Sequence, residues 1–408
     1  MNPDNSPFTP GQLVEAEFFT GRKKQVEELL TMVRIAKKRG LQVGWISGER
    51  GIGKSSLASF VGFVAERHHR AVVAHVHLGG VKELDELART THLQLLKDNQ
   101  TQRWGEALWE RFGKNIKSVG AFGVKLELEK AADTLPERAG DFPGALSHVV
   151  KAAGGDREVL LLTFDDINGL ADNPKFPHWL KSMVDGEVTS RKSSNNPICL
   201  VFVGLEERLQ QMVKENPSVI RIFRPLINID PWTPEESDEF FKNSFENHDI
   251  KIGQDEIKYL TGFSGGLPAV AHELGHAVWE EVGDEKTVTK KTILRGAVVA
   301  ANRIGIRYLE SGVIQALQSR KYRSILRKIA QHPDLINRFS KEQLRSLPLT
   351  ADEKKNLDNF LNRMRKLGAI VPVKEGERGV YRFPTYLHRI YFSIEAAQDA
   401  RGKRSKTS

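Results

Sequence analysis

Apolar residues fall into two rhythms along this chain. Short unbroken runs occur at "QVGWIS" (residues 42–47), "AVVAHVHL" (71–78), "VLLLTF" (159–164), "ICLVFV" (198–203) and "LINI" (226–229). Runs of this length, apolar on both faces, predict strands buried in a parallel sheet. Between them the spacing is helical, as in "KSSLASFVGFVAERHH" (54–69), whose apolar positions recur every three or four residues. Five strands alternating with helices predict a doubly wound α/β domain over residues 1–231. After Asp230 the helical rhythm takes over. Thr233 as N-cap, Pro234 at the first helical position and Glu236 completing a capping box predict a sharp helix start. Helical patterns continue to about residue 305, which predicts a small all-α domain over 232–305.

The last hundred residues change pattern again. "YRSILRKIAQ", "SKEQLRSL" and "ADEKKNLDNFLNRMRKLG" predict three helices, the third capped by Thr350 with Glu353 three residues on. Its apolar stripe is Leu357, Phe360, Leu361, Met364 and Leu367, and Gly368 stops it. "AIVPV" and "VYRF" then predict a hairpin around "KEGERG". Three helices and a hairpin make a winged helix over 306–395, followed by a basic flexible tail, 396–408. Between the second and third strands, residues 79–158 are too many for a simple crossover and predict an insertion. Within it "GVKLELE" alternates strictly, as a half-exposed strand or hairpin does; a partner-binding element and a structural flap both fit.

The length of 408 residues fits two or three domains, and no stretch approaches the roughly 18 apolar residues of a membrane span. The polar start "MNPDNSPFTP" does not read as a secretory signal, and the single Cys199 cannot form a disulfide within one chain. A reducing cytoplasm is the expected home. The net charge of +9 is unevenly placed: residues 301–408 hold 23 Lys and Arg against 10 Asp and Glu, leaving the first 300 at −4. Such asymmetry favours a phosphate-rich partner for the C-terminal end, double-stranded DNA above all, although a solubilising face gives the same composition. Lys354, Lys355, Arg363, Arg365 and Lys366 lie off the apolar stripe, and Lys374, Arg378 and Arg382 lie on the wing, where phosphates would meet them. Asp352, Glu353, Asp358, Glu375 and Glu377 are interleaved with these bases, and Asn356, Asn359 and Asn362 are the only amides in reach. That composition points to sequence-tolerant contact, with a protein-docking surface as the alternative.

The candidate chemistry starts at the first strand. Gly48-x-x-x-x-Gly53-Lys54-Ser55 fits the phosphate-binding loop pattern, set between a strand and a helix. Its glycines let backbone amides converge on phosphate oxygens, so Gly48, Glu49, Arg50, Gly51, Ile52, Gly53 and Ser56 are candidate contacts. Lys54 would reach the β- and γ-phosphates of ATP, and the Ser55 hydroxyl would ligate Mg²⁺. The third strand ends in Asp165 and Asp166, at the edge where ligands of a parallel sheet gather. Asp165 is the candidate Mg²⁺ ligand through water, and Asp166 the residue orienting the attacking water. His75 and His77 alternate on the second strand with ligand-like spacing, for which packing is the ordinary explanation.

In this order the motifs resemble the AAA+ and STAND branch of P-loop ATPases, most of all origin-recognition-like and transposon-regulator-like ATP-binding proteins. "FFTGRKKQVEELL" resembles the family's opening box, which implies that Gly21 and Arg22 wrap the adenine end of the nucleotide. "VFVGLEERL" resembles the sensor-1 strand, "SVIRIFRPLINIDPWTPEES" the segment with an arginine finger, and "SGGLPAVAHELGHAV" the lid segment that would bring Pro268 to the nucleotide. The resemblance implies ATP/ADP binding, homo-oligomers in which Arg221, with Arg224 in reserve, reaches a neighbour's γ-phosphate, and an unidentified protein partner. Asp166 stands where AAA+ relatives usually carry Glu, which implies slow, switch-like hydrolysis. Gly204 leaves sensor 1 unassigned, and no arginine stands near Ala269 for sensor 2; His272 is the one substitute in view. The resemblance leaves two functions open: a DNA-associated switch in replication, transposition or phage defence, and a STAND-like signalling regulator whose winged helix binds protein.

"HELGH" (residues 272–276) is a literal HExxH, the pattern of zinc hydrolases. Trp279 and Val282 occupy the places of the extended motif's Gly and His, and no Asp or Glu occurs between Glu285 and Glu310. A lid helix carrying two ordinary histidines is the expected reading.

Overall fold

The computed structural model describes residues 5–98, 157–189, 196–314, 319–332, 338–373 and 379–404, with Phe142, Leu146, Val149 and Leu335. Most of the expected insertion, including "GVKLELE", lies outside the described residues, as do Lys374 and Arg378 of the expected wing. The chain divides into two compact units, Leu13–Asp230 and Met1–Gln12 with Pro231–Ser408.

The first unit is an α/β layer structure. Its order is α1 (Lys23–Arg39), β1 (Gln42–Gly48), α2 (Lys54–His69), β2 (Ala71–His77), α3 (Leu84–Asp98), β3 (Val159–Asp165), α4 (Lys175–Thr189), β4 (Ile198–Val203), α5 (Glu206–Glu215) and β5 (Phe223–Ile229). The five strands form one parallel sheet in the order β2-β3-β4-β1-β5. The central β3 and β4 are buried along their whole length, which is why they read as unbroken apolar runs. β5 lies at one edge and starts three residues before its apolar run, because Arg224 and Leu226 face solvent there. Trp45, Phe164, Phe176 and Phe202 fill the core around the sheet. The parallel register brings β1 and β3 to one carboxyl edge, where Gly48 and Asp165 end their strands.

The second unit begins with four helices: α6 (Pro234–Glu246), α7 (Gln254–Ser264), α8 (Pro268–Val282) and α9 (Lys290–Ile304). Thr233 and Glu236 form the capping box that starts α6. Helices α8 and α9 pack closely: a Cβ at Gly296 would lie 2.6 Å from a Val278 methyl. Helix α9 runs on into π-helical turns over Gly305–Ile314. Then follow α10 (Arg320–Gln331), β6 (Phe339–Ser340), α11 (Lys341–Ser346), α12 (Ala351–Lys355), α13 (Leu357–Lys366), β7 (Val371–Pro372), β8 (Val380–Arg382) and α14 (Tyr386–Arg404). The three short strands form an antiparallel sheet, β6-β8-β7. The single helix expected over 351–368 is two, because Asn356 turns its side-chain amide back onto the Asp352 carbonyl at 2.9 Å and leaves the helical conformation. Among the described residues, no helix is long and apolar enough to cross a membrane.

Candidate nucleotide-binding site

The loop between β1 and α2 is shaped by its glycines. Gly48 has φ of 150°, and a Cβ there would sit 2.9 Å from the Ile229 carbonyl. Gly53 opens α2 with φ of 91°. Both conformations are costly for any residue with a side chain. Ile52 is buried and pins the loop, while Glu49, Arg50 and Gly51 are exposed around it. Lys54 turns back over the loop, its ammonium donating to the Gly48 and Glu49 carbonyls at 2.9 and 2.8 Å. Burial lowers its pKa, opposed by the negative charge of Asp165. The lysine is thus held where an anion in the loop would replace carbonyl oxygens as its partner.

Asp165 closes β3 almost buried, with four groups turned to its carboxylate. Ser55 and His75 donate hydrogen bonds to it, His75 at 2.9 Å, and the Asp166 amide donates at 2.9 Å. Burial acts to raise the pKa, but the His75 and Ser55 hydrogen bonds and the charges of His75 and His77 outweigh it and hold the carboxyl below its ordinary value. The structure therefore brings Ser55 and Asp165, the two expected Mg²⁺ ligands, to one another. Hard oxygen donors, an ionised carboxylate and a lysine fit a magnesium-bound triphosphate.

Asp166 lies just beyond, exposed, in the left-handed conformation with φ of 56°. Its carboxylate accepts from the Asn168 amide, whose own oxygen accepts from Leu205 N–H at 3.1 Å. Asn168 thereby ties the acidic pair to the end of β4, where Gly204 leaves no side chain. Sequence reasoning gave Asn168 no role, nor Glu206, the first residue of α5, which accepts a 2.7 Å hydrogen bond from Ser47. The signal for Glu206 was a carboxylate in the first turn after β4, inside "GLEERL".

Gly21 and Arg22 both have positive φ ahead of α1, and the buried Arg22 guanidinium donates to the Ile52 carbonyl at 3.4 Å. The opening box is thus in contact with the loop. Phe19 stacks on Phe60 of α2, with ring centroids 4.3 Å apart, and Ser56 accepts from Val14 N–H at 3.5 Å. Arg221 is exposed in a short 3-10 turn, Pro217–Ile222, and pairs with no acid among the described residues. β5 runs from Phe223 beside Val43 to Ile229 beside Gly48. Arg221 therefore lies at the opposite end of the sheet from the loop, roughly 20 Å away. Pro268 begins α8 in the second unit.

The histidines of HELGH have other work. His272 is buried against Phe8 and Phe240 and accepts from Thr9 N–H at 3.1 Å. His276 pairs with Ser6 at 3.0 Å, and buried Glu273 is bound by Arg307 at 2.8 Å. Gly275 makes room for Phe8, whose ring would lie 2.2 Å from a Cβ at that position. The motif seats the N-terminal segment on α8 and assembles no metal cluster among the described residues.

Loop, acidic pair and strand order in the first unit are those of a P-loop ATPase domain of the AAA+ type. Residues 19–185 match the AAA ATPase domain family. Solved structures share the fold along nearly the whole chain. A Walker-type ATPase of Pyrococcus abyssi is 17% identical with a TM-score of 0.57, the match covering 96% of this chain and 99% of that one. The ORC2 protein of Aeropyrum pernix, in ADPNP-ADP complexes, is 14% identical with a TM-score of 0.58, covering 98% of each chain. No curated protein is significantly similar in sequence.

Proposed function

We propose that this ATPase is a nucleotide-driven switch that self-assembles with ATP and acts on or with DNA. The observation that carries the nucleotide reading is the convergence of Lys54, Ser55 and Asp165 at the carboxyl edge of the sheet. The Aeropyrum pernix protein of the same fold was solved with ADPNP and ADP, which fits such a site. Gly48 to Ser56 would cradle the phosphates, Lys54 would neutralise their oxygens, and Gly21, Arg22 and Pro268 would hold the rest of the nucleotide. Ser55 and Asp165 would hold Mg²⁺, which when bound offsets the charge that develops on the transferred phosphoryl group. Asp166, steadied by Asn168, would orient the attacking water. Its short carboxylate supports slow turnover suited to a switch.

Arg221 is too far along the sheet to serve its own loop, so its guanidinium, without an acidic partner among the described residues, supports a role on a neighbouring copy's γ-phosphate. The C-terminal helices and three-stranded sheet are read as a winged helix with double-stranded DNA as its partner. The exposure of Lys354, Lys355, Arg363, Arg365 and Lys366 supports this reading. The basic tail adds to the same charge. Titration calorimetry with ATP and Mg²⁺ tests the core of the proposal: wild type should bind one equivalent, and Lys54→Ala should lose binding or hydrolysis. Undiminished turnover in Lys54→Ala would remove the assignment.

A further inference from the structure

The acidic end of β3 also meets a second set of ligand atoms, on the edge strand. β2 is the edge strand beside β3, in register so that His77 pairs with Asp165 and His75 with Thr163. Residues i and i+2 of a strand share a face, so both imidazoles stand on the same side. Their rings stack with centroids 4.7 Å apart and 25° between planes. His75 Nε2 lies 2.9 Å, and His77 Nδ1 3.7 Å, from the same Asp165 oxygen, Oδ2. All three ligand atoms lie within 4.8 Å of one another, and this is the one such His, Cys, Asp and Glu group among the described residues.

These distances come near the spacing of ligand atoms in a coordination shell. Zinc bonds histidine nitrogen and carboxylate oxygen at about 2.0–2.2 Å, which places neighbouring ligand atoms of a tetrahedral site about 3.3–3.5 Å apart. The observed 2.9 and 3.7 Å bracket that spacing, and the His77 side chain is 63% exposed. Two imidazoles select against Mg²⁺, which takes oxygen ligands, and in favour of zinc and its neighbours. The exposure of His77 leaves the fourth position open to water or an added ligand.

We propose that His75, His77 and Asp165 bind a divalent transition metal, zinc above all, at a site that shares Asp165 with the nucleotide loop. Asp165 belongs to both arrangements: Ser55 is hydrogen-bonded to its carboxylate, while Oδ2 faces the histidines. Zinc would therefore withdraw Asp165 from the nucleotide site and inhibit turnover. That consequence rests on the ATPase reading above; the binding does not.

The test uses the full chain, stripped of metal and free of nucleotide. Cobalt(II), a spectroscopic stand-in for zinc, should give the visible bands of a tetrahedral site at one equivalent, and zinc should abolish them. Zinc should also raise the thermal midpoint, since a ligand bound only by the folded state stabilises it. The exposed His77→Ala should lose both effects, with affinity lowered about tenfold or more. His276→Ala should retain both metal effects. No cobalt bands in wild type, or equal binding by His77→Ala, would overturn the site. Loss of ATP turnover by Lys54→Ala with cobalt binding intact would separate its fate from that of the nucleotide reading.

Discussion

At the scale of single residues, position relative to the sheet decides what a charged group can serve. Lys54 and Asp165 are partly or wholly buried at the carboxyl edge, and each is held by named partners. Arg221 is exposed at the other end of the sheet with no acidic partner among the described residues. Under the proposed trans role, Arg221 would act only when a second copy brings a loop to it. Removing it should spare ATP binding and lower assembly-dependent turnover by about a thousandfold or more, the usual effect of losing an arginine finger. Mixing Arg221→Ala with Lys54→Ala should restore part of the activity, because one subunit supplies the loop and the other the finger. Turnover of Arg221→Ala that still rises with protein concentration as wild type does would exclude the trans role.

Among the elements, legibility in the sequence followed burial. β3 and β4, apolar throughout, were readable to the residue at their starts, whereas β5 was read three residues short because an edge strand alternates. Capping boxes at Thr233 and Thr350 were legible because each is a local exchange between side chain and backbone. The break at Asn356 was not, since nothing in the apolar stripe registers one amide folding back on its own helix. At the site, the loop and the acidic pair were legible as motifs, while Asn168, Glu206 and the His75–Asp165 bond depend on strand neighbours that only the sheet order brings together. The α12–α13 pair now offers a measurable surface. Lys354, Lys355, Arg365 and Lys366 are exposed and form no ion pairs among the described residues, while Lys321 and Lys341 are taken by Asp352 and Asp358. If this face meets DNA phosphates, affinity should fall with salt on a log–log slope of about −0.9 per contact. Reversing the four charges should flatten that slope by about two to four contacts, whatever the DNA sequence. An unchanged slope would assign the face to a protein partner.

For the molecule as a whole, acid should weaken the second unit through two buried histidines. Burial drives His272 and His388 from an ordinary 6.5 down to about 4. Each is neutral in the folded chain: His272 accepts from the backbone of residue 9, and His388 pairs with Thr385 at 2.6 Å. Their folded values lie below the unfolded one, so the stability they carry is complete above pH 6.5. It drains as the pH falls from 6.5 towards 4, where the unfolded chain takes up protons that the folded chain refuses. Each histidine contributes a slope of up to about 1.4 kcal/mol per pH unit in that window. Glu273 works in the opposite sense, since burial raises its pKa and its protonation favours the fold. Between pH 6.5 and 5 the two histidines together should outweigh that one acid, and urea denaturation should show a clear loss of stability. In His272→Gln with His388→Gln the pH dependence over that interval should flatten by close to two protons, even though both variants start less stable. Wild-type stability that holds level from pH 7 to pH 5 would show that these side chains find water, and that the seat of residues 5–12 on α8 is looser than its hydrogen bonds imply.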